Sequence, residues 1–520
     1  MPGAPVALSL ALAAFCSLSC ALQPYDGPAP QLPDRTPFGF GAAATGGGTP
    51  TANNTYVVDN MPDLRTVLKM ETPRTVYVKG EIKGSEINET VTGDCQFYVD
   101  SSNNSKFNFT LYLMGMNETY TGLVQDAADA GQQFDGQNAT ELLDLIKRQN
   151  GWRSQVQNVQ KSWESIDAAG NLTLVGWDSS AYLHGVNLNF NTRSNIIMRN
   201  IRISSPRDCF PSPETYPSSW NARYDAVSMV SSHTVWFDGN VFEDGPTAVA
   251  PDDFLWGWKV DRYDGLFDAE DGTDSVTFSH NVVANHHKSL LWGGGEKEGP
   301  LDLGKMRFTV FGNHFSNSMS RNPLMRFGTF YIVANLFENY AEQAPLFADD
   351  SVSSPNATKR ATTAAAAANE TSSYKPNFQY NLGVYNASTV VVAANAFVQS
   401  GTHGADDSSR IFSFSDLSTP QLPATLCSPA DIANSSSSSS ALDALKIKST
   451  FNGASIDLQR NAENTWAYAR EDDDDGEFVD GGFVTGCEGL AAQEVPVDAF
   501  GGDAAAVEAY VRKNAGQTTA

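Results

Sequence analysis

The sequence predicts an all-β fold made as one continuous body, a parallel β-helix in which short strands coil into a solenoid, and three observations predict it. Short β-rich runs recur between Asn195 and Phe397, each with an asparagine directly before an apolar residue or a histidine: MRNIRI, DGNVFE, SHNVVAN, FGNHFSN, VANLFEN and AANAFVQ. The aligned residues are Asn200, Asn240, Asn281, Asn313, Asn335 and Asn395, and the closest pair, Asn313 and Asn335, lie 22 residues apart, about one coil. With 41% hydrophobic, 11% aromatic and 18% charged residues, the 520-residue chain has enough apolar side chain for a sizeable core and too little charge for general disorder.

In such a solenoid each coil buries its apolar face on the next. An asparagine turned inward at the same corner of every coil can then satisfy its amide on its neighbours, as a ladder. The longer spacings, 41 from Asn240 to Asn281 and 60 from Asn335 to Asn395, place loops between strands, where binding faces usually form. Two inserts are expected to wall a substrate cleft: Pro246 to Arg262, with Trp256 and Trp258, and Gly293 to Gly304, with its glycine run. The low-complexity stretches at 351–373 and 434–440 and the acidic run Glu471 to Asp475 read as solvated loops. EDDDD lacks the alternating ligands and the glycine of an EF-hand loop.

Residues 1–21 read as a secretory signal, with an apolar run from Val6 to Phe15 and small residues Ser19 and Ala21 before the cut. The run is short for a membrane span, which needs about 20 residues. A β-helix domain is expected over 22–500 and a C-terminal tail over 501–520, in a secreted, extracellular monomer with no membrane partner. Asn-X-Ser/Thr triplets at Asn53, Asn88, Asn103, Asn108, Asn117, Asn138, Asn171, Asn356, Asn369, Asn386 and Asn434 suit that route, and none falls between Asn171 and Asn356. Without the signal four cysteines remain, an even set for an oxidising compartment. Of the three possible pairings, Cys95 with Cys209 and Cys427 with Cys487 is the expected one. A formal net charge of -26 argues against nucleic acid, which needs clustered Lys and Arg. It would also repel an acidic polymer, but exposed charges are largely damped beyond about 10 Å at ~0.1 M salt, so local charge decides.

Chemistry concentrates in RYDAVSM from Arg223, RYDGLFDAEDGTDSVTFSHNVVANHHKSLLWGG from Arg262, and SRNPLMRFG ending at Gly328. Asp264 and Asp268 are four apart and on one strand would project from the same face. Asp225 lies 39 residues earlier and can stack beside them at the ~4.8 Å strand spacing. Three such carboxylates repel unless a cation sits between them, and all-oxygen ligation suits Ca²⁺. Lys288 follows Asp264 by 24 residues and Arg321 follows Lys288 by 33, so the three can line one face on successive coils.

These segments, with GFGAAATGGG at Gly39 to Gly48, resemble the pectate lyase family of right-handed parallel β-helices, in the family's order, over roughly Pro37 to Phe397. The resemblance implies that Asp225, Asp264 and Asp268 are calcium ligands, and that Arg321 abstracts the C5 proton of a uronate whose carboxylate calcium holds. It implies that Lys288 and Arg326 bind substrate, Arg326 by a bidentate grip on a uronate carboxylate. Arg223 stands where some members carry a further calcium-binding Asp, which leaves a fuller calcium cluster unsupported. Because guanidinium is a poor base near neutrality, Lys288 is the alternative base, and an alkaline activity optimum is expected. The other reading of Arg326 is a structural ion pair. His286 and His287, adjacent on a strand, point to opposite faces and are expected to pack rather than share a metal.

The function implied is a secreted pectate lyase that cleaves α-1,4-linked polygalacturonate by calcium-assisted β-elimination. A calcium-independent pectin lyase acting on methyl-esterified substrate is the nearest alternative, with Trp256, Trp258 and Trp292 available for an aromatic-rich cleft. A non-catalytic polysaccharide-binding β-helix and a hydrolase with paired carboxylic acids are the others. The three aspartates and Lys288 favour the first, since a neutral ester needs neither a metal nor a carboxylate clamp.

Overall fold

The repeats close into coils: three parallel sheets, stacked strand on strand, run the length of the computed structural model. The structure describes residues 22–341 except 89, 103–105, 216–217, 245–253 and 256–257; then 378–401, 408–414, 422–427, 432, 446–471 and 483–485; and, near the C-terminus, 487, 490, 493, 495–496, 500 and 503–518. The signal expectation, both low-complexity loops, Trp256, and Asn103, Asn356, Asn369 and Asn434 lie outside the described residues.

The first sheet has 11 strands, from Thr55–Val58 to Phe483–Thr485, the second 10 and the third 8. One coil shows the path: Asp274–Ser279 in the first sheet, Val282–Lys288 in the second, Leu291–Trp292 in the third. The chain then returns to the first sheet as Arg307–Phe311, which pairs in parallel with Asp274–Ser279. Phe315, Phe337 and Phe397 stack along the interior at 4.8 Å and 4.8 Å, and Trp292 lies 4.5 Å from Phe308. Trp292 is 0% exposed, so it fills the core and does not serve an aromatic cleft. Its neighbours on successive coils are aromatic, and stacking on them buries more surface than a cleft position would.

The corner between the first and second sheets is two residues long in each repeat. The first residue is left-handed: Gly239, His280, Gly312, Ala334 and Ala394 have φ between 52° and 69°. The second is the asparagine, and its amide is the ladder. Asn240 Nδ2 donates to Asn281 Oδ1 at 3.0 Å, Asn281 to Asn313 at 3.1 Å, Asn313 to Asn335 at 2.9 Å and Asn335 to Asn395 at 3.0 Å. Each Oδ1 also accepts the backbone N–H of the preceding asparagine, as Asn335 Oδ1 does from Asn313 at 2.9 Å.

Asn200 does not belong to the ladder. Arg202 pairs with Val241, which puts Ile201 in the ladder column and Asn200 one residue early, in the left-handed position with φ 57°. Ile201 N donates to Asn240 Oδ1, while Asn200 donates to Gly176 O and accepts from Thr518 N at 2.7 Å. The strand before MRNIRI ends one residue closer to its asparagine, so alignment by residue type slips by one.

Helices stand beside the coils between 95 and 164, a region the strand repeats did not signal. Cys95–Ser101, Phe109–Met114, Glu118–Asp129 and Ala139–Glu164 are capped by Asp94, Asn108, Asn117 and Asn138, each side chain accepting the third helical N–H. Cys95 pairs with Cys209, tying the helices to the coils, and Cys427 pairs with Cys487, as expected. The segment at Gly39 to Gly48 crosses the outside of the first sheet. Gly41 N donates to Thr277 Oγ1 at 2.9 Å, and a Cβ there would meet Val235 O at 2.3 Å, so only glycine fits. The C-terminal helix Ala504–Asn514 docks on the coils through Arg512, paired with Glu338, and Tyr510, whose hydroxyl meets His280 Nε2 at 2.8 Å. Among the described residues no helix is long and apolar enough to cross a membrane. Asn386 is 6% exposed and bonded through both amide atoms, a poor place for a glycan.

Asn313→Ala would leave the Asn281 amide and Phe278 O unpaired inside the coil, and is expected to cost about 3 kcal/mol, read as a lower melting temperature. Glu164, at the buried end of the long helix, gives a pH test. Burial pushes its carboxyl up to about 8, against hydrogen bonds from Tyr98 and Gln160 that lower it, with Asp208 adding a small rise. The folded value exceeds the ordinary 4.5, so this group's stability is fully present below pH ~4.5 and is lost as pH rises through about 8. Glu164→Gln is therefore expected to flatten the fall in stability between pH ~5 and ~8, a slope of at most ~1.4 kcal/mol per pH unit.

Candidate active site

All the residues singled out for chemistry fall on the corner between the second and third sheets or on the third sheet's outer row. Asp225 and Asp264 each precede a third-sheet strand, Val227–Val230 and Phe267–Glu270, and Asp268 lies within the latter. Asp264 is therefore not a strand neighbour of Asp268. Gly265 turns the chain between them, packed so closely on the Asp268 carboxylate that a Cβ would meet Oδ1 at 2.2 Å. Asp225 sits beside this turn: its Oδ1 accepts Gly265 N at 3.0 Å and its Oδ2 accepts Ser228 Oγ at 2.6 Å. Ser228 pairs in register with Asp268, whose Oδ1 accepts Leu291 N at 3.1 Å.

The three carboxylates feel one another. Burial first, then Asp264, pushes Asp225 up to about 7, against the Ser228 and Gly265 hydrogen bonds. Asp268 is raised well above the usual range by burial and by both other aspartates, with Arg321 and the Leu291 N–H opposing. Asp264 is raised by burial, while Lys288, Arg321 and His286 pull it back. Among the described residues no group of three or more carboxylate, imidazole or thiol side chains is placed so that it could hold a metal ion. The chemistry of Asp225, Asp264 and Asp268, all oxygen and mutually repelling, nonetheless suits a hard cation.

Lys288 ends its second-sheet strand and pairs in register with Ser320, the residue before Arg321. The sheet thus brings the two cations onto adjacent coils. Lys288 Nζ lies 3.4 Å from Asp261 Oδ2, a contact sequence reading missed although Asp261 stands only three residues before Asp264. Arg321 is half-buried with φ 59°, a left-handed conformation uncommon outside glycine that turns the chain at this corner. Its carbonyl accepts Leu290 N at 2.9 Å, and Asn322 and Ser318 tie the corner together beneath it. Among the described residues its guanidinium has no hydrogen-bond or ion-pair partner, yet its field reaches Asp264 and Asp268.

Arg326 lies one residue beyond Leu324–Met325 and is engaged: Nε donates to Glu296 Oε1 at 2.6 Å and one terminal nitrogen to Gly293 O at 2.8 Å. His286 is buried with Nδ1 on Asp244, and His287 faces Asp261, so the two point apart. Arg223 turns away from the aspartates to Asn158 of the long helix, at 2.8 Å.

A family profile described as pectate lyase matches residues 150–451, more than half of the chain. This chain belongs to the pectate lyase family. Family membership makes it a polysaccharide lyase. The pectate lyase of Bacillus subtilis strain 168 is 26% identical over 305 residues, 58% of this chain and 67% of its own length. Pectate lyase D of Dickeya chrysanthemi is 32% identical over 178 residues, 34% of this chain and 45% of its own, so the chain spans just under half of that relative. A solved pectate lyase bound to a hexasaccharide superposes with a TM-score of 0.64 at 22% identity, covering 92% of this chain and 96% of that one. A mutant of the Bacillus subtilis pectate lyase gives 0.64 at 21%, covering 94% and 98%. At those identities the superpositions speak for the fold, and they agree with the pectate lyase coil seen here.

Proposed function

We propose that this chain is a secreted, monomeric pectate lyase that cleaves α-1,4-linked polygalacturonate by β-elimination, with Ca²⁺ as its cofactor. The observation that carries this is the Arg321 guanidinium, free of partners among the described residues and set on the corner beside three aspartates, of which Asp268 is buried and Asp225 and Asp264 half-buried. Asp225, Asp264 and Asp268 would hold the calcium, which when bound withdraws charge from the uronate carboxylate and acidifies the neighbouring C5–H.

Lys288 draws the same carboxylate in, giving up its contact with Asp261 as the substrate arrives. Arg321, in its neutral guanidine form, then takes the C5 proton and becomes guanidinium. The C5–H electron pair forms the C4=C5 double bond, the C4–O4 bond breaks, and the leaving oxygen takes a proton from water. Lys288 stays beside Arg321 as a fixed positive charge where negative charge develops. Two disulfides within the described chain and the triplets exposed at Asn53, Asn88, Asn108, Asn138 and Asn171 support an extracellular setting.

Lyase product carries a conjugated double bond and absorbs in the ultraviolet, which hydrolysis product does not. On polygalacturonate with calcium the wild type is expected to form this product, faster at alkaline than at neutral pH, and chelator should abolish it. Arg321→Ala should lower kcat by roughly 10²–10⁴-fold with the melting temperature unchanged. An optimum near pH ~5 would contradict a guanidinium base. Chelator-insensitive product on methyl-esterified pectin would replace this reading with the pectin lyase.

A further inference from the structure

Arg326, which the family resemblance implies binds substrate, is already gripped from one side. Its row on the third sheet runs from Gly293 on the preceding coil through Arg326 to Tyr385 on the next, since Arg326 N donates to Trp292 O and Tyr385 N to Met325 O. Glu296, from the glycine-rich insert, accepts the Arg326 Nε–H on one oxygen and the Asn386 amide on the other, at 2.6 Å and 3.1 Å. Asn386 is fixed in turn because its Oδ1 accepts Leu422 N at 2.9 Å. Both members of the ion pair are largely buried, with side chains 12% and 17% exposed. The Arg326 guanidinium also lies over the Tyr385 ring at 5.3 Å. The insert can come this close only because Gly293, at φ 91°, carries no Cβ, which would meet the Arg326 Cβ at 2.7 Å.

A guanidinium has five N–H groups in a fixed plane. Two are used here, by Glu296 and by the Gly293 carbonyl. Among the described residues the two terminal nitrogens keep three of their four, enough for a fork that matches a carboxylate. We propose that Glu296 is a positioning residue for substrate: it holds Arg326 by Nε so that this fork faces a uronate carboxylate. Its negative charge also tempers the cation, which sets how strongly that subsite prefers a free acid over a methyl ester. The proposal rests on the pectate lyase reading. A prealigned fork loses little rotamer freedom on binding, and a half-neutralised one discriminates less between charged and esterified sugars.

Two variants separate geometry from charge. Glu296→Gln keeps an acceptor for Nε, gives up the Asn386 contact and removes the anion. Its KM on fully de-esterified polygalacturonate should fall about threefold, with kcat within about twofold, and the fall should disappear on highly methyl-esterified pectin. Glu296→Ala frees the fork, and its KM on polygalacturonate should rise about tenfold with kcat within about threefold. Melting temperatures of both variants report folding alongside. If the wild type is active and neither variant moves KM, or both lower kcat equally on all substrates, Glu296 is only a structural ion-pair partner and the proposal fails alone. If the wild type forms no unsaturated product on polygalacturonate, the pectate lyase reading fails and this proposal with it.

Discussion

The hydrogen bond between one asparagine amide and the next is the contact on which the rest of the molecule depends. Each ladder asparagine ties three coils' worth of backbone: Asn313 accepts from Asn281, donates to Phe278 O and donates again to Asn335. A parallel sheet of short strands could otherwise slip by two residues and keep its apolar faces inward. A buried amide that must find the amide above and below it forbids that slip, because a slipped register leaves polar groups unpaired in an apolar core. The pairing of Lys288 with Ser320, and so the approach of Lys288 to Arg321, inherits its register from this corner.

Local charge explains how so acidic a chain can present a cationic surface to an acidic polymer. Of the cations near the site, Arg223 is spent on the long helix, Arg262 on the carbonyls of Asp208 and Cys209, and Arg326 partly on Glu296. Lys288 is held by a 3.4 Å contact with Asp261, and Arg321 faces the aspartates across space. Burial raises all three aspartates, and the two cations offset only part of that for Asp264. On the reading proposed above, carboxylates that resist ionisation beside Lys288 and Arg321 would take an ion and an anionic ligand together, the demand a metal-bridged uronate makes.

The ladder from Asn240 onward was legible because it shows in residue type, and the disulfides are the pairing favoured among the three that four cysteines allow. What the sequence hid was conformation. The Asn200 slip depends on an asparagine that follows its strand one residue sooner than the others, and nothing in MRNIRI marks it. Asp264 and Asp268 look like strand partners until the contact between Gly265 and the Asp268 carboxylate shows the turn between them. Asn108, Asn117 and Asn138 were legible as acceptor triplets, yet the same side chains cap helices, and a capping asparagine followed two residues later by threonine is written identically in both roles. Glu296 was hidden for a different reason: a lone glutamate in a glycine run acquires meaning only when the coil beneath it supplies an arginine.

The two kinds of corner divide the work of the fold. Between the first and second sheets the link is two residues long from Arg199 to Ala396, and it holds the ladder. Between the second and third sheets it varies, from 22 residues after Ser204 and 23 after Glu243 to two after Lys288 and three after Ser320. Between Arg199 and Ala396 the long connections thus fall at the two corners that the ladder does not occupy, the glycine-rich insert between Trp292 and Arg307 among them, so insertions there leave the coil register untouched. Lys288 and Arg321 sit at short links of this kind, where there is little backbone to move and a charge can be held against burial and strain. Residues that must adapt to a polymer, such as those of the glycine-rich insert, come from long connections around them, and Glu296 shows how one such loop reaches back to orient a group fixed on the rigid sheet.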